Sequence, residues 1–305
     1  MSEARELVII GAGPAGMSAA LYARRAGLDT LVLERGTTGG QVNNTSEIEN
    51  YPGIIHSGGA ELGDKMKDHA LKFGAEIRRV DSSKVELRDG HKVIVTPKGE
   101  IEAKAVIIAT GSHFRRLGCE GEAERIGQGV SFCAVCDGMF FEGYDIAVVG
   151  GGNTAVEEAD YLTKFASKVY IIHRRNEFRA VQAVVDRALA NPKIVPVYDS
   201  VVEKIDGVGM VESITIRNVK TNEKSELPVA GVFMFVGQDP ENECVKGIVE
   251  TDKNGFIITD DKMKTSIDGI FAAGDVRKKF LRQVITAASD GAVAAMAASE
   301  YIRSL

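Results

Sequence analysis

The chain has 305 residues, room for two domains of ordinary size, and its 44% hydrophobic and 26% charged content is that of a soluble globular protein. A net charge of -6 and a pI near 5.6 argue against a nucleic-acid binder driven by overall charge. No run reaches about 18 uninterrupted apolar residues, which excludes a membrane-spanning helix, and residues 1–6 lack the basic, apolar and cleavage regions of a signal peptide, so a cytoplasmic location is expected.

The first predicted elements are an apolar strand at residues 7–10, a glycine-rich turn (Gly11-Ala-Gly13-Pro14-Ala15-Gly16), an Ala-rich amphipathic helix and a second apolar strand, Thr30–Glu34. Continuous apolar runs suit strands covered on both faces of a parallel sheet. Glu34 falls 23 residues after Gly11, where a dinucleotide-binding βαβ unit meets an adenosine ribose. A carboxylate there accepts hydrogen bonds from ribose hydroxyls and repels a 2′-phosphate. The texture then changes. Residues 84–87, 92–96 and 100–103 alternate as antiparallel strands do, with Asp89-Gly90 as a hairpin turn, and residues 105–109 read as a separate buried strand ending at Thr110-Gly111.

Cysteines stand at 119, 133, 136 and 244, and only Cys133-Ala-Val-Cys136 are close in sequence. Structural zinc needs four ligands, but Cys119 and Cys244 are isolated and the histidines at 56, 69, 91, 113 and 173 form no pair at ligand spacing, so no metal is expected. Idle thiols are the bland alternative; redox chemistry is favoured because both cysteines adjoin nucleotide motifs. Cys119 and Cys244 are expected to be buried small hydrophobes rather than a regulatory pair.

The opening pattern then repeats. Residues 146–149 are apolar, Gly150-Gly-Gly152-Asn153-Thr154-Ala155 forms the turn, and a helix leads to a strand at 169–173. In such a turn the first glycine permits the tight bend, the second admits the pyrophosphate and the third position lets helix pack on strand. The helix N-terminus offers free N–H groups to phosphate. One such motif is weak evidence; two in full strand–turn–helix–strand context favour two dinucleotide-binding units over two unrelated turns. His173 falls 23 residues after Gly150, but here Arg174, Arg175 and Arg179 replace the carboxylate. Their forked donors suit a 2′-phosphate, and the alternative is a solvated basic face. A buried strand at 231–237, the segment Gly269-Ile-Phe-Ala-Ala-Gly274-Asp275 and an Ala-rich helix complete the chain. The expected fold class is α/β with two Rossmann-like dinucleotide-binding domains.

On these motifs the whole chain resembles the two-dinucleotide-domain flavoprotein reductases. The absence of cysteine from residues 36–42 and the placement of Cys133–Cys136 ahead of the second nucleotide strand resemble the low-molecular-weight thioredoxin reductases, as do Gly39-Gly40-Gln41, Glu49-Asn50-Tyr51-Pro52-Gly53 and Arg282-Gln283-Val284. The resemblance implies a three-layer ββα type of domain, with an NADPH domain at 114–243 inserted into an FAD domain formed by 1–113 and 244–305. FAD is implied at Gly11, Gly13, Pro14, Ala15, Gly16, Glu34, Arg35, Gly40, Gln41, Asn50, Thr110, Gly111, Gly274, Asp275, Arg282, Gln283 and Val284. NADPH is implied at Gly150, Gly152, Asn153, Thr154, His173, Arg174, Arg175 and Arg179.

It further implies that Cys136 faces the flavin, Cys133 attacks the substrate disulfide and Asp137 moves the proton; as a bland alternative Asp137 is a turn residue or helix N-cap. The implied partners are thioredoxin or a thioredoxin-like protein and a second copy of the chain, with no nucleic acid and no membrane. Met139-Phe140-Phe141 suits a partner surface or a strand core, and a rotation of the inserted domain about 112–118 and 238–244 is expected. Gln128 departs from the family, where a basic residue contacts thioredoxin. A redox sensor without turnover, a peroxidase-system reductase, a ferredoxin–NADP reductase and a ferredoxin-fed reductase fit less well, because the nucleotide and thiol motifs are all intact and residues 1–6 carry no extra Cys-x-x-Cys.

Overall fold

The computed structural model describes residues 3–45, 48–80 and 83–305; Met1 and Ser2, part of the segment read for a leader, lie outside them. The chain divides into two compact units, residues 1–113 with 239–305 and residues 114–238. The second crossing lies at Asp239 rather than after residue 243, because Glu241 is tied into the first unit. Its N–H donates to Gly111 O at 2.9 Å and its carbonyl accepts from Thr110 Oγ1 at 2.5 Å.

In the first unit, β1 (Glu3–Ile10), α1 (Pro14–Arg25), β2 (Thr30–Glu34), α2 (Gly59–Lys72) and β3 (Glu76–Arg79) precede the hairpin of β4 (Lys84–Arg88) and β5 (His91–Thr96), then β6 (Gly99–Ile108). Sheet order is β3-β2-β1-β6-β5-β4, parallel from β3 to β6 and antiparallel beyond. Asp89 and Gly90 both have positive φ (50° and 84°), as the two-residue turn between β4 and β5 requires. The strands expected at 100–103 and 105–109 are one strand. Lys104 between them keeps its ammonium exposed, 2.9 Å from Glu6 Oε1, so β6 runs on without a turn. Leu7 and Ile9 pack with Met17 and Ala294 on one sheet face, and Val8 and Ile10 with Ile94 and Val245 on the other. Burial on both faces explains the unbroken apolar run.

A short strand, β7 (Ser112–Phe114), carries the first crossing. The second unit holds β8 (Val130–Ser131), α3 (Ala134–Asp137), β9 (Asp145–Gly150), α4 (Asn153–Leu162), β10 (Lys168–Ile172), α5 (Gln182–Leu189) and β11 (Ile194–Val197). With β15 (Gly231–Phe235) they form a parallel sheet of order β11-β10-β9-β15-β8, and β12 (Ser200–Asp206), β13 (Ser213–Asn218) and β14 (Lys224–Pro228) form an antiparallel sheet. Val148 packs with α4, and Val149 with Val202 and Ile214 from the antiparallel layer.

The chain returns through β16 (Gln238–Pro240), and β17 (Ile270–Ala272) pairs in parallel with β6. The last helix, α6 (Val284–Ser304), presents Ala287, Ala288, Gly291, Ala294 and Ala298 inward. Small side chains let it lie close on α1: a Cβ on Gly291 would stand 2.0 Å from Ala15 O, and Ser18 Oγ donates to Ala288 O at 2.6 Å.

Candidate functional site

The first glycine turn joins β1 to α1. Gly11 has φ +105°, and a Cβ there would come 2.3 Å from Ala109 O; a Cβ on Gly16 would come 1.9 Å from Gly11 O. Both glycines are needed so that strand, turn and helix can touch. Gly13 caps α1 with Pro14 at its first position, where the missing N–H costs nothing, and Ala15 follows. Glu34 Oε2 accepts from Ala12 N at 2.6 Å and Oε1 from Gly36 N at 2.7 Å, so the carboxylate closes the turn and is held at its mouth.

The other residues read for this nucleotide lie in the same unit. Gly39 N–H donates to Ala12 O at 2.9 Å, bringing Gly40 beside Gly13, while Gln41 Oε1 accepts from Asn44 at 3.0 Å. Asn50 Nδ2 donates to Gln283 Oε1 at 3.2 Å, Gln283 caps α6 at Val284, and Arg35 pairs with Glu241 at 3.2 Å. Asp275 is largely buried; burial pushes its carboxyl above the ordinary range, and Lys279 and Arg282 oppose that shift. Asp275 Oδ1 and Arg282 Nε are buried without a hydrogen-bond partner among the described residues. Such atoms are costly unless a ligand satisfies them. The two unsatisfied atoms, a carboxyl oxygen and a guanidinium N–H, fit a polar cofactor in this unit.

In the second unit, Gly150, Gly152, Asn153 and Thr154 lie at the β9–α4 turn. Arg179 N–H donates to Gly151 O at 2.6 Å and Val181 N–H to Asn153 Oδ1 at 2.8 Å, binding the segment after β10 to the turn. His173 is 5% exposed beneath Gly151, where a Cβ would stand 2.3 Å from its ring. Burial first, then Arg179, Arg175 and Arg174, push its pKa down, so the imidazole is neutral near pH 7. Arg174, Arg175 and Arg179 are exposed and form no ion pair with a described residue. All three guanidiniums belong to the segment that follows β10.

Cys133 and Cys136, on the same unit, form a disulfide (Sγ–Sγ 2.09 Å, Cα–Cα 5.3 Å). Cys133 caps the four-residue helix α3, its Sγ accepting from Cys136 N at 3.1 Å. Asp137 ends that helix, and its side chain caps nothing. Instead, Oδ2 accepts from Ser131 Oγ at 2.5 Å, while the same hydroxyl accepts from Cys133 N at 3.1 Å. Burial pushes the Asp137 carboxyl above its ordinary pKa, and the Ser131 bond works against that rise. Ser131 was not singled out in the sequence, where a serine two residues before a cysteine carries no recognisable pattern. Met139 and Phe140 are exposed (68% and 50%), whereas Phe141 packs edge-on against Phe233 at 5.3 Å.

Cys119 and Cys244 lie in different units and neither is in a disulfide. Each packs on an apolar cluster, and burial pushes their thiols up to about 11 and about 12, which keeps them protonated. Among the described residues no group of three or more His, Cys, Asp or Glu could hold a metal ion, and no helix is long and apolar enough to cross a membrane.

One chain with two glycine-turn βαβ units and a Cys-x-x-Cys disulfide has the parts of a nucleotide-linked disulfide reductase. The family model for pyridine nucleotide-disulphide oxidoreductases matches residues 5–291. The thioredoxin reductase of Bacillus subtilis (strain 168) is 46% identical over 308 residues, covering 100% of this chain and 98% of that protein. The one from Peptoclostridium litorale is 46% identical over 312 residues, covering 100% and 99%. The crystal structure of thioredoxin reductase from Streptococcus pyogenes MGAS5005 is 48% identical, with a TM-score of 0.96 and full coverage of both chains. The chain belongs to the pyridine nucleotide-disulphide oxidoreductases and, within them, to the thioredoxin reductases.

Proposed function

We propose that the chain is an NADPH-dependent thioredoxin-disulfide reductase, and the observation that carries this reading is the Cys133–Cys136 disulfide with Asp137 held by Ser131 beside it. Residues 1–113 with 239–305 form the FAD domain, and residues 114–238 the NADPH domain with the dithiol. Bound FAD would supply the two-electron redox chemistry that links NADPH to the disulfide. Gly11, Gly13 and Gly16 would give its pyrophosphate room and N–H donors, Glu34 would accept from its ribose hydroxyls, and Asp275 and Arg282 would offer it their unsatisfied polar atoms. Gly150, Gly152, Asn153 and Thr154 cradle the NADPH pyrophosphate, and Arg174, Arg175 and Arg179 hold the 2′-phosphate.

In the reduced pair, Cys133 attacks the substrate disulfide as a thiolate, forming a new S–S bond and releasing one substrate sulfur. Asp137, whose carboxyl burial pushes above its ordinary pKa, supplies the proton to the departing sulfur. Cys136 then attacks Cys133 Sγ, closing the intramolecular disulfide and releasing the second substrate sulfur, so the two electrons leave with the dithiol product. Exposed Val135, Met139 and Phe140 surround the pair with apolar surface suited to a thioredoxin-like partner. The reading includes a homodimer, for which exposed Ile285, Val293 and Met296 on one side of α6 provide apolar area. The test is anaerobic titration with NADPH followed by a panel of thioredoxins: bleaching of a bound FAD and NADPH-dependent thioredoxin reduction are expected, and no flavin or no turnover refutes the reading.

A further inference from the structure

The inward face of α6 is mostly alanine and glycine, joined by Ser299 and Ile302 near its end, and it carries one buried charged side chain. Asp290 is 7% exposed, on the turn where Gly291 touches the backbone of α1. A buried carboxylate costs several kcal/mol unless it is paired and hydrogen-bonded. Asp290 is both. Its Oδ2 accepts from Gly274 N at 3.0 Å and from Lys279 Nζ at 2.8 Å, and both of its oxygens lie 3.3 Å from Arg277 NH1. The Lys279 and Arg277 side chains are themselves only 7% and 14% exposed, and Arg277 Nε is further fixed on Thr259 Oγ1 at 2.9 Å.

All of these bonds converge on one short turn. Gly274 directly precedes Asp275, has φ +78°, and lies so close to α1 that a Cβ would stand 2.9 Å from Ala15 Cβ. Asp275 Oδ1 is buried without a hydrogen-bond partner among the described residues. The turn is thus held from one side by the first glycine motif's helix and from the other by Asp290, while Lys279 opposes the effect of burial on the Asp275 carboxyl.

We propose that Asp290, with Arg277 and Lys279, is a positioning cluster that presets the Gly274–Asp275 turn, so that Asp275 Oδ1 is aimed at a hydroxyl of the bound flavin's polyol chain and cofactor retention depends on a carboxylate in α6. The inference rests on the FAD reading above. Its members act through the turn rather than by touching the reacting atoms.

The test compares wild type with Asp290→Ala, Asp290→Asn, Lys279→Met and Asp275→Asn, measuring FAD dissociation by recovery of flavin fluorescence and the thermal midpoints of apo and FAD-loaded protein. Asp290→Ala is expected to weaken FAD binding about tenfold or more, the scale of a lost charge-assisted hydrogen bond, and to narrow the gap between the two midpoints. Asp290→Asn keeps an acceptor for Gly274 N–H and should lose less. If Asp290→Ala does not fold, a several-fold weaker binding in Asp290→Asn and Lys279→Met carries the same conclusion. A fall of both midpoints together with unchanged FAD affinity in every foldable variant overturns the proposal, since that is what a purely structural ion cluster would give. Wild type that binds no FAD refutes the FAD reading itself. Loss of affinity in Asp275→Asn but not in the Asp290 and Lys279 variants leaves that reading standing and removes the cluster from it.

Discussion

Replacing Ser131 with alanine tests the link between the dithiol and its acid. The Ser131 hydroxyl donates to Asp137 Oδ2 at 2.5 Å and favours the ionised carboxylate, against the burial that favours the protonated form. A hydrogen bond to a charged group is worth about 1.5–3 kcal/mol, so its loss raises the Asp137 pKa further above the ordinary carboxylate range. The sign is fixed by the role. An acid that must be protonated to release the substrate sulfur stays competent to higher pH in Ser131→Ala, so the limb of the pH profile governed by Asp137 moves upward. The assay is stopped-flow oxidation of pre-reduced enzyme by a disulfide substrate across pH, with Ser131→Thr as the variant that keeps the hydroxyl and the wild-type limb. Stability follows the same sign. A carboxyl whose folded pKa is raised favours the fold below its unfolded value and loses that contribution as pH rises through the folded one, and Ser131→Ala widens this window upward. A uniform loss of rate with an unmoved limb would refute the linkage and reduce Ser131 to a support for the Cys133 loop.

Neutral replacements of Arg174 and Arg175 should raise KM for NADPH by about one to two decades per lost contact while leaving NADH nearly unchanged; equal losses for both nucleotides would remove these arginines from 2′-phosphate recognition. Gly291→Ala forces a Cβ to within 2.0 Å of Ala15 O, and thermal or denaturant unfolding should register a loss of about 1–3 kcal/mol. Hydrogen bonds from Arg78 and then Arg5 hold the Glu3 carboxyl down to about 2, so its contribution is present above the unfolded pKa and lost as pH falls through about 2. Glu3 is partly exposed, so Glu3→Gln should cost at most about 1 kcal/mol at neutral pH, and the difference from wild type should vanish near pH 2.

Much of this was legible because it is local. A glycine turn between an apolar strand and an Ala-rich helix declares itself through backbone needs at Gly11 and Gly16, and Asp89-Gly90 through its positive φ. Contacts made across a turn or between helices were hidden. Ser131 reaches Asp137 around the disulfide, and Asp290 reaches Gly274 from another element. Asp290 did leave a trace, as an acid inside an otherwise small and apolar helix face. The tripeptide after the dithiol could not be divided by pattern; tertiary packing buries Phe141 against Phe233 and leaves Met139 and Phe140 outside. The break assumed before Ala105 failed because an exposed lysine satisfies a strand as well as a turn does.

Cys133 and Cys136 take unequal parts, Cys133 attacking the substrate and Cys136 resolving the mixed disulfide. The most direct measurement is covalent trapping: Cys136→Ser and Cys133→Ser, each pre-reduced, are incubated with a thioredoxin lacking its own resolving cysteine and resolved on non-reducing gels. Cys136→Ser should accumulate a mixed disulfide through Cys133, because attack proceeds and resolution cannot. Cys133→Ser should trap none, yet both variants should still accept electrons from NADPH. Trapping through Cys136 alone would reverse the roles, and full disulfide reductase activity in both variants would show that the pair is not the active site.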